Sequence, residues 1–165
     1  MSGVSHMVLL AGGIELYRYI RLYCVTPNHT RYVAIKSWQF SADGGTTKLP
    51  SAMTAASAPS PLVASASSEY SSTYAAWKAF DSDLTGTDWD TDINQTVPCW
   101  LLIDLGSGNG VSSINWTRMN ASDYTGGNHI KDGRIEGSKT GAFAGEEVTL
   151  RSWTGNTDLD KTYTW

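Results

Sequence analysis

One stretch of the chain, Asp81-Ser-Asp83-Leu-Thr85-Gly-Thr87-Asp88, sets carboxylate and hydroxyl oxygens at close spacing. A hard cation such as calcium takes about six to eight oxygen ligands, so Asp81, Asp83 and Thr87 could hold a structural calcium ion. The same residue types also make turns whose Asp and Thr side chains cap their own backbone. Both readings stand at this stage. A second chemistry comes from the seven Trp and eight Tyr. An aromatic ring offers a rigid apolar platform to the C–H face of a sugar, and Asn, Arg and His can fix the hydroxyls. The surface candidates for such a site are Trp89, Tyr124 and His129, with Asn120, Asn128 and Arg134 nearby. Catalysis is not expected. The three His residues lie in loop or terminal contexts, and no nucleophile-elbow, HExxH or Walker pattern is present. The acids of residues 81–92 could mimic a glycosidase pair. Nothing in their sequence surroundings marks one as a proton-holding acid, so solvated loop acids are the expectation.

Composition narrows what can position these groups. The chain has 165 residues, 17% charged and 41% hydrophobic, with 16 Gly. That length suits one domain. The low charge and the absence of heptads argue against a helical bundle. A net charge of −4 lacks the basic footprint of a nucleic-acid binder. No apolar run reaches the ~18 residues of a membrane span. Residues 1–13 carry a short apolar piece without a basic flank, so a standard signal peptide is not expected. Cys24 and Cys99 sit in predicted strands as buried thiols, with a single disulfide left open.

Strands are expected over residues 17–25 and 32–40, paired as a hairpin across Thr26-Pro-Asn-His-Thr30. The apolar phase of the second switches after Ile35, which implies a bulge. Residues 42–68, rich in Ser, Ala, Gly, Thr and Pro, read as an extended bridge. Residues 75–80 could form one helical turn. Residues 100–105 (WLLIDL) read as a strand covered on both faces. In residues 111–119, Ile114, Trp116 and Arg118 alternate against Asn115 and Thr117. Strands over 130–137, 147–153 and 161–165 complete an all-β antiparallel sandwich or jelly roll.

Three ordered motifs then carry a resemblance. They are Trp77-Lys78-Ala79-Phe80-Asp81 with Thr87-Asp88-Trp89, Trp100 to Gly106 (WLLIDLG), and Gly137-Ser138-Lys139-Thr140-Gly141. Together they resemble the discoidin-like family, the coagulation factor type C domains and related galactose-binding-like modules. The likeness covers residues 64–153, and Thr140 stands where Asp is usual. It implies a galactose-binding-domain-like sandwich with core roles for Trp77, Phe80 and Trp100. It also implies ligand loops at one end, here residues 83–97 and 120–131. In that family the acidic loop often wraps calcium with help from a closing-strand Glu, a position that falls at Ser37 here.

The N-terminal hairpin resembles that family's closing strands, which normally come last. This implies a circular permutation: an arm (1–16), the moved hairpin (17–41), the bridge (42–68) and the main sandwich (69–165). A domain swap is the alternative. The hairpin and its Ser/Ala/Thr-rich neighbour also resemble modules of bacteriophage virion proteins such as tail fibres and decoration proteins. The resulting expectation is a non-catalytic module exposed on a virion assembled in the bacterial cytoplasm. Its partners would be a cell-surface glycan, other virion subunits and further copies of itself, without nucleic acid or membrane insertion. The alternatives are a purely structural virion protein and an accessory domain of a glycan-active enzyme.

Overall fold

The computed structural model describes residues 14–93, 97–122 and 127–165. Among the described residues, nine strands form two antiparallel sheets. In chain order they are β1 (Tyr19–Pro27), β2 (Ala34–Ser41), β3 (Val63–Ala66), β4 (Trp89–Asp90), β5 (Cys99–Asp104), β6 (Trp116–Ala121), β7 (Ile130–Ser138), β8 (Val148–Trp153) and β9 (Asp160–Thr164). The five-stranded sheet runs β3-β5-β1-β7-β8 and the four-stranded sheet runs β4-β2-β6-β9. The architecture is the expected all-β sandwich.

Alternation builds the core. Along β1, Ile20, Leu22 and Cys24 turn inward, and along β5 Cys99, Leu101 and Ile103 do the same. From the facing sheet, Trp38 and Phe40 of β2 fill the space between, with Phe80 against Trp38 at 5.7 Å. Trp38 and Phe40 share a face because β2 slips one residue between Ile35 and Ser37. That bulge is the one the phase switch implied. Cys24 and Cys99 are free, buried and directly opposite in the β1–β5 register.

Four local expectations change. The strands over 17–25 and 32–40 are not a hairpin. β1 pairs with β5 and β7, while β2 pairs with β4 and β6. Residues 28–33 therefore cross from one sheet to the other. Residues 42–68 are no free bridge, because Met53, Leu62 and Ala64 are buried and β3 pairs with β5. β5 alternates buried and half-buried side chains rather than being covered equally on both faces. In β6 the phase is opposite to expectation: Thr117 and Met119 face inward, while Trp116 and Arg118 are half-buried on the other side. Thr117 tolerates the core because its hydroxyl donates to the Gln39 carbonyl and accepts from the Trp38 indole. The helical turn exists as a 3-10 turn over Ala76–Phe80, following a shorter one at Ser72–Tyr74.

Candidate functional site

The ends of β1, β3 and β6 and the starts of β2, β5 and β7 meet at one end of the sandwich. The connections leaving that end enclose a cleft of about 830 Å³. One wall is the crossing segment, with His29, Arg31 and Tyr32. A second follows β3 and carries Tyr70 and Tyr74. The floor is Asp88, Asp90 and Thr91 around β4, with Ile93 and Ser122 beside it.

Backbone bonds fix these walls to each other. The Thr91 amide donates to the Val33 carbonyl, and the Thr91 hydroxyl accepts from the Val33 amide. The Tyr70 amide donates to the Asp90 carbonyl at 2.9 Å, and the Asp92 amide to the Ser68 hydroxyl at 2.9 Å. Two aromatic pairs line the space. His29 and Tyr32 lie with ring centroids 5.2 Å apart, and Tyr70 meets Tyr74 edge-on at 5.8 Å. Tyr70 is 53% exposed, so its ring remains available.

The floor is electrostatically unusual. Trp89 points into the core, and strand alternation turns Asp88 and Asp90 together to the opposite side. Asp88 is 6% exposed. Asp90 Oδ1 is buried and, among the described residues, has no hydrogen-bond partner. Among the described residues, no ion pair reaches either carboxylate. Burial, and secondarily the neighbouring Asp88, push the Asp90 carboxyl up to about 7. This overturns the expectation that the acids of residues 81–92 are all ordinary solvated loop acids.

The residues singled out from sequence fall elsewhere. Trp89 is 1% exposed, with its indole N–H donating to the Ser68 carbonyl, so it is a core ring and not a surface platform. Asn128 and His129 are buried too. Asn128 ties the sheets by its backbone, its carbonyl accepting from the Ala34 amide, and the His129 Nε2 lies 3.2 Å from the Asn156 carbonyl. Arg134 is held in an ion pair with Glu136 and lies over the Tyr23 ring. Asn120 is half-buried in β6, where it bonds Asp160. It borders a small separate hollow of about 160 Å³ with Ser37, Ser82 and Leu84. Tyr124 lies outside the described residues. The expected loops do supply part of the cleft, through Asp88, Asp90, Thr91 and Ile93 from one and Ser122 from the other. Of the two walls, residues 29–32 carry only turn and strand-start patterns in the sequence, and residues 70–74 carry no pattern beyond their place at the start of the main sandwich.

The oxygen-rich loop is spent largely on itself. Asp83 Oδ1 accepts from the Thr85 amide, the Thr85 hydroxyl and the Gly86 amide. Asp81 Oδ1 accepts from the Asp83 amide, and Asp81 Oδ2 lies 3.8 Å from Lys78 Nζ. Thr87 is half-buried at the loop's end. Among the described residues, no three His, Cys, Asp or Glu side chains gather as a metal shell. The donor set is that of a self-capped turn.

Comparison of the chain with protein-family models, with curated proteins and with solved structures finds no match.

Proposed function

We propose that the protein is a non-catalytic glycan-binding module whose site is the cleft at the β4 end of the sandwich. One observation carries the reading: two aromatic pairs and two carboxyl groups without an ion-pair partner among the described residues line a single cavity of about 830 Å³. Rings cover sugar faces, and carboxylates accept hydroxyl protons in bidentate fashion. The volume suits two or three sugar rings rather than an ion. The setting proposed with it is the surface of a bacteriophage particle, beside other virion subunits and copies of the same chain. That part rests on the sequence resemblance. Repetition on such a surface would let a weak site act through avidity.

A glycan array probed with the multimerised protein tests the reading. Binding to a defined set of glycans is expected, weakened about tenfold by Tyr70→Ala, the value of one lost stacking platform. A blank array, or binding untouched by Tyr70→Ala and Asp88→Asn, overturns it.

Asp90 favours a second reading. A carboxyl whose burial raises it to about 7, with a second carboxyl two residues away on the same side of β4, is the kind of acid a glycosidase requires. Release of reducing ends from an array-positive glycan, abolished by Asp90→Asn, would support hydrolysis over simple binding.

A further inference from the structure

We infer that the cleft selects a glycan bearing a free primary ammonium group, an amino sugar in its deacetylated form, received by Asp88 and Asp90. The inference rests on the reading that the cleft binds sugar, and names the class of sugar.

Charge that is buried without a partner is costly, and folded chains pair it or neutralise it. This chain pairs its other well-buried acid, Glu136, with two guanidinium groups. At the cleft floor no described residue ion-pairs with either acid, and Asp90 is held neutral only by its own proton on the acid side of neutrality. Asp88 is more than nine-tenths buried, Asp90 Oδ1 is wholly buried without a hydrogen bond from any described residue, and both turn to the same side of β4. Arg31, the cation at the cleft, is exposed on the rim and forms no ion pair with either acid. The missing positive charge is thus left to the ligand. The cavity is far larger than a bare ammonium or metal ion needs, so the cation must be carried on something bulky. Tyr32, Tyr70 and Tyr74 suit both halves of such a ligand. Their faces stack on sugar rings and attract a nearby ammonium. Glycans with carboxylate groups are disfavoured, because they would meet two like charges.

Proton linkage follows. The titratable and charged groups around Asp90 are Asp88, His29, Arg31, Tyr32, Tyr70 and Tyr74. An arriving R–NH3⁺ supplies the positive charge that Asp90 lacks and draws it into the carboxylate form. The proton held by Asp90 passes to buffer, so binding on the acid side of neutrality releases a proton.

Isothermal calorimetry on the full chain tests this with three probes: a glucosamine hexamer, the N-acetylglucosamine hexamer of equal length, and spermidine. The glucosamine hexamer is expected to bind at least about tenfold more tightly than either of the others. At pH 5.5, where the sugar amines are already protonated, its enthalpy should depend on the ionisation heat of the buffer in the sense of proton release. Asp88→Asn, checked for folding by its melting curve, should lose about tenfold in affinity for that hexamer alone. Equal binding of the acetylated hexamer, equal binding of spermidine, or binding without proton release overturns the inference. If neither hexamer binds while the array finds another sugar, the amine selectivity falls and the glycan reading stands. If the array is also blank, both fall.

Discussion

Two regions of the molecule bury acid groups, and they treat them in opposite ways. On the five-stranded sheet, Glu136 of β7 is 1% exposed and fully engaged. Arg21 donates to its Oε2 at 2.6 Å from the neighbouring strand β1, and Arg134 donates to Oε1. Phe143 lies 3.9 Å over the Arg21 guanidinium, and Tyr23 lies 3.9 Å from that of Arg134. The one carboxylate is engaged by two guanidinium groups, and each of those lies against a ring. At the cleft, Asp88 and Asp90 have rings beside them but, among the described residues, no ion-pair partner, and burial raises the Asp90 carboxyl to about 7. The contrast separates an ion network that belongs to the fold from a charge arrangement the fold leaves incomplete. The first ties two strands of one sheet together, and the second is the feature on which the proposed binding role rests.

The largest effect that would break this division lies at β4 itself. Trp89→Ala should cost about 3–5 kcal/mol in urea unfolding, since it empties a core position, whereas changes at its neighbours Asp88 and Asp90 should not. A small cost at Trp89 would mean that β4 does not anchor the cleft floor. Next comes the ion network. Arg21→Met removes one of the two cations from buried Glu136 and should destabilise by about 2–3 kcal/mol. An Arg21→Met protein as stable as wild type would erase the distinction between the two regions.

A subtler effect concerns pH. In the unfolded chain Asp90 ionises near 3.8, and in the folded chain near about 7. Between those values the folded chain holds the extra proton. Asp90 therefore contributes a stability term that is greatest at the acid side of this window and declines as pH rises towards neutrality. Unfolding of Asp90→Asn across the same window should lack that decline, and an identical slope in both proteins would contradict it. The smallest effect is expected at the acidic turn. Because Asp83 Oδ1 already takes three hydrogen bonds from its own loop, millimolar calcium or EDTA should move the melting midpoint by less than about 1 °C. A clear rise with calcium would place a cation there after all.

Part of the sandwich could be read from periodicity, because Ile20, Leu22 and Cys24 of β1 are spaced two apart and all buried, and the bulge at Ile35 left its mark on the pattern of β2. Partnership could not. β1 and β2 are adjacent in sequence with turn residues between them, yet lie in different sheets, since pairing is decided by β5, β6 and β7 far along the chain. Thr117 also misled, because a hydroxyl satisfied by two local bonds behaves as a core residue. At the site, the stretch around Trp89 was singled out but for the wrong face. A two-residue strand gives too little pattern to fix phase, and once the indole is known to be inside, Asp88 and Asp90 must be outside together. His29, Tyr32, Tyr70 and Tyr74 had no signal of their own. Their convergence comes from the crossing of residues 28–33 between sheets.

The central claim is that Asp90, half-buried with its Oδ1 wholly enclosed, has no counter-charge in the free protein. A carbon-detected NMR titration of the Asp90 carboxyl, assigned by comparison with Asp90→Asn, addresses it directly. The titration midpoint should lie at about 7 in the free protein. It should fall when the glucosamine hexamer is added. A midpoint in the ordinary carboxylate range in the free protein would contradict the account.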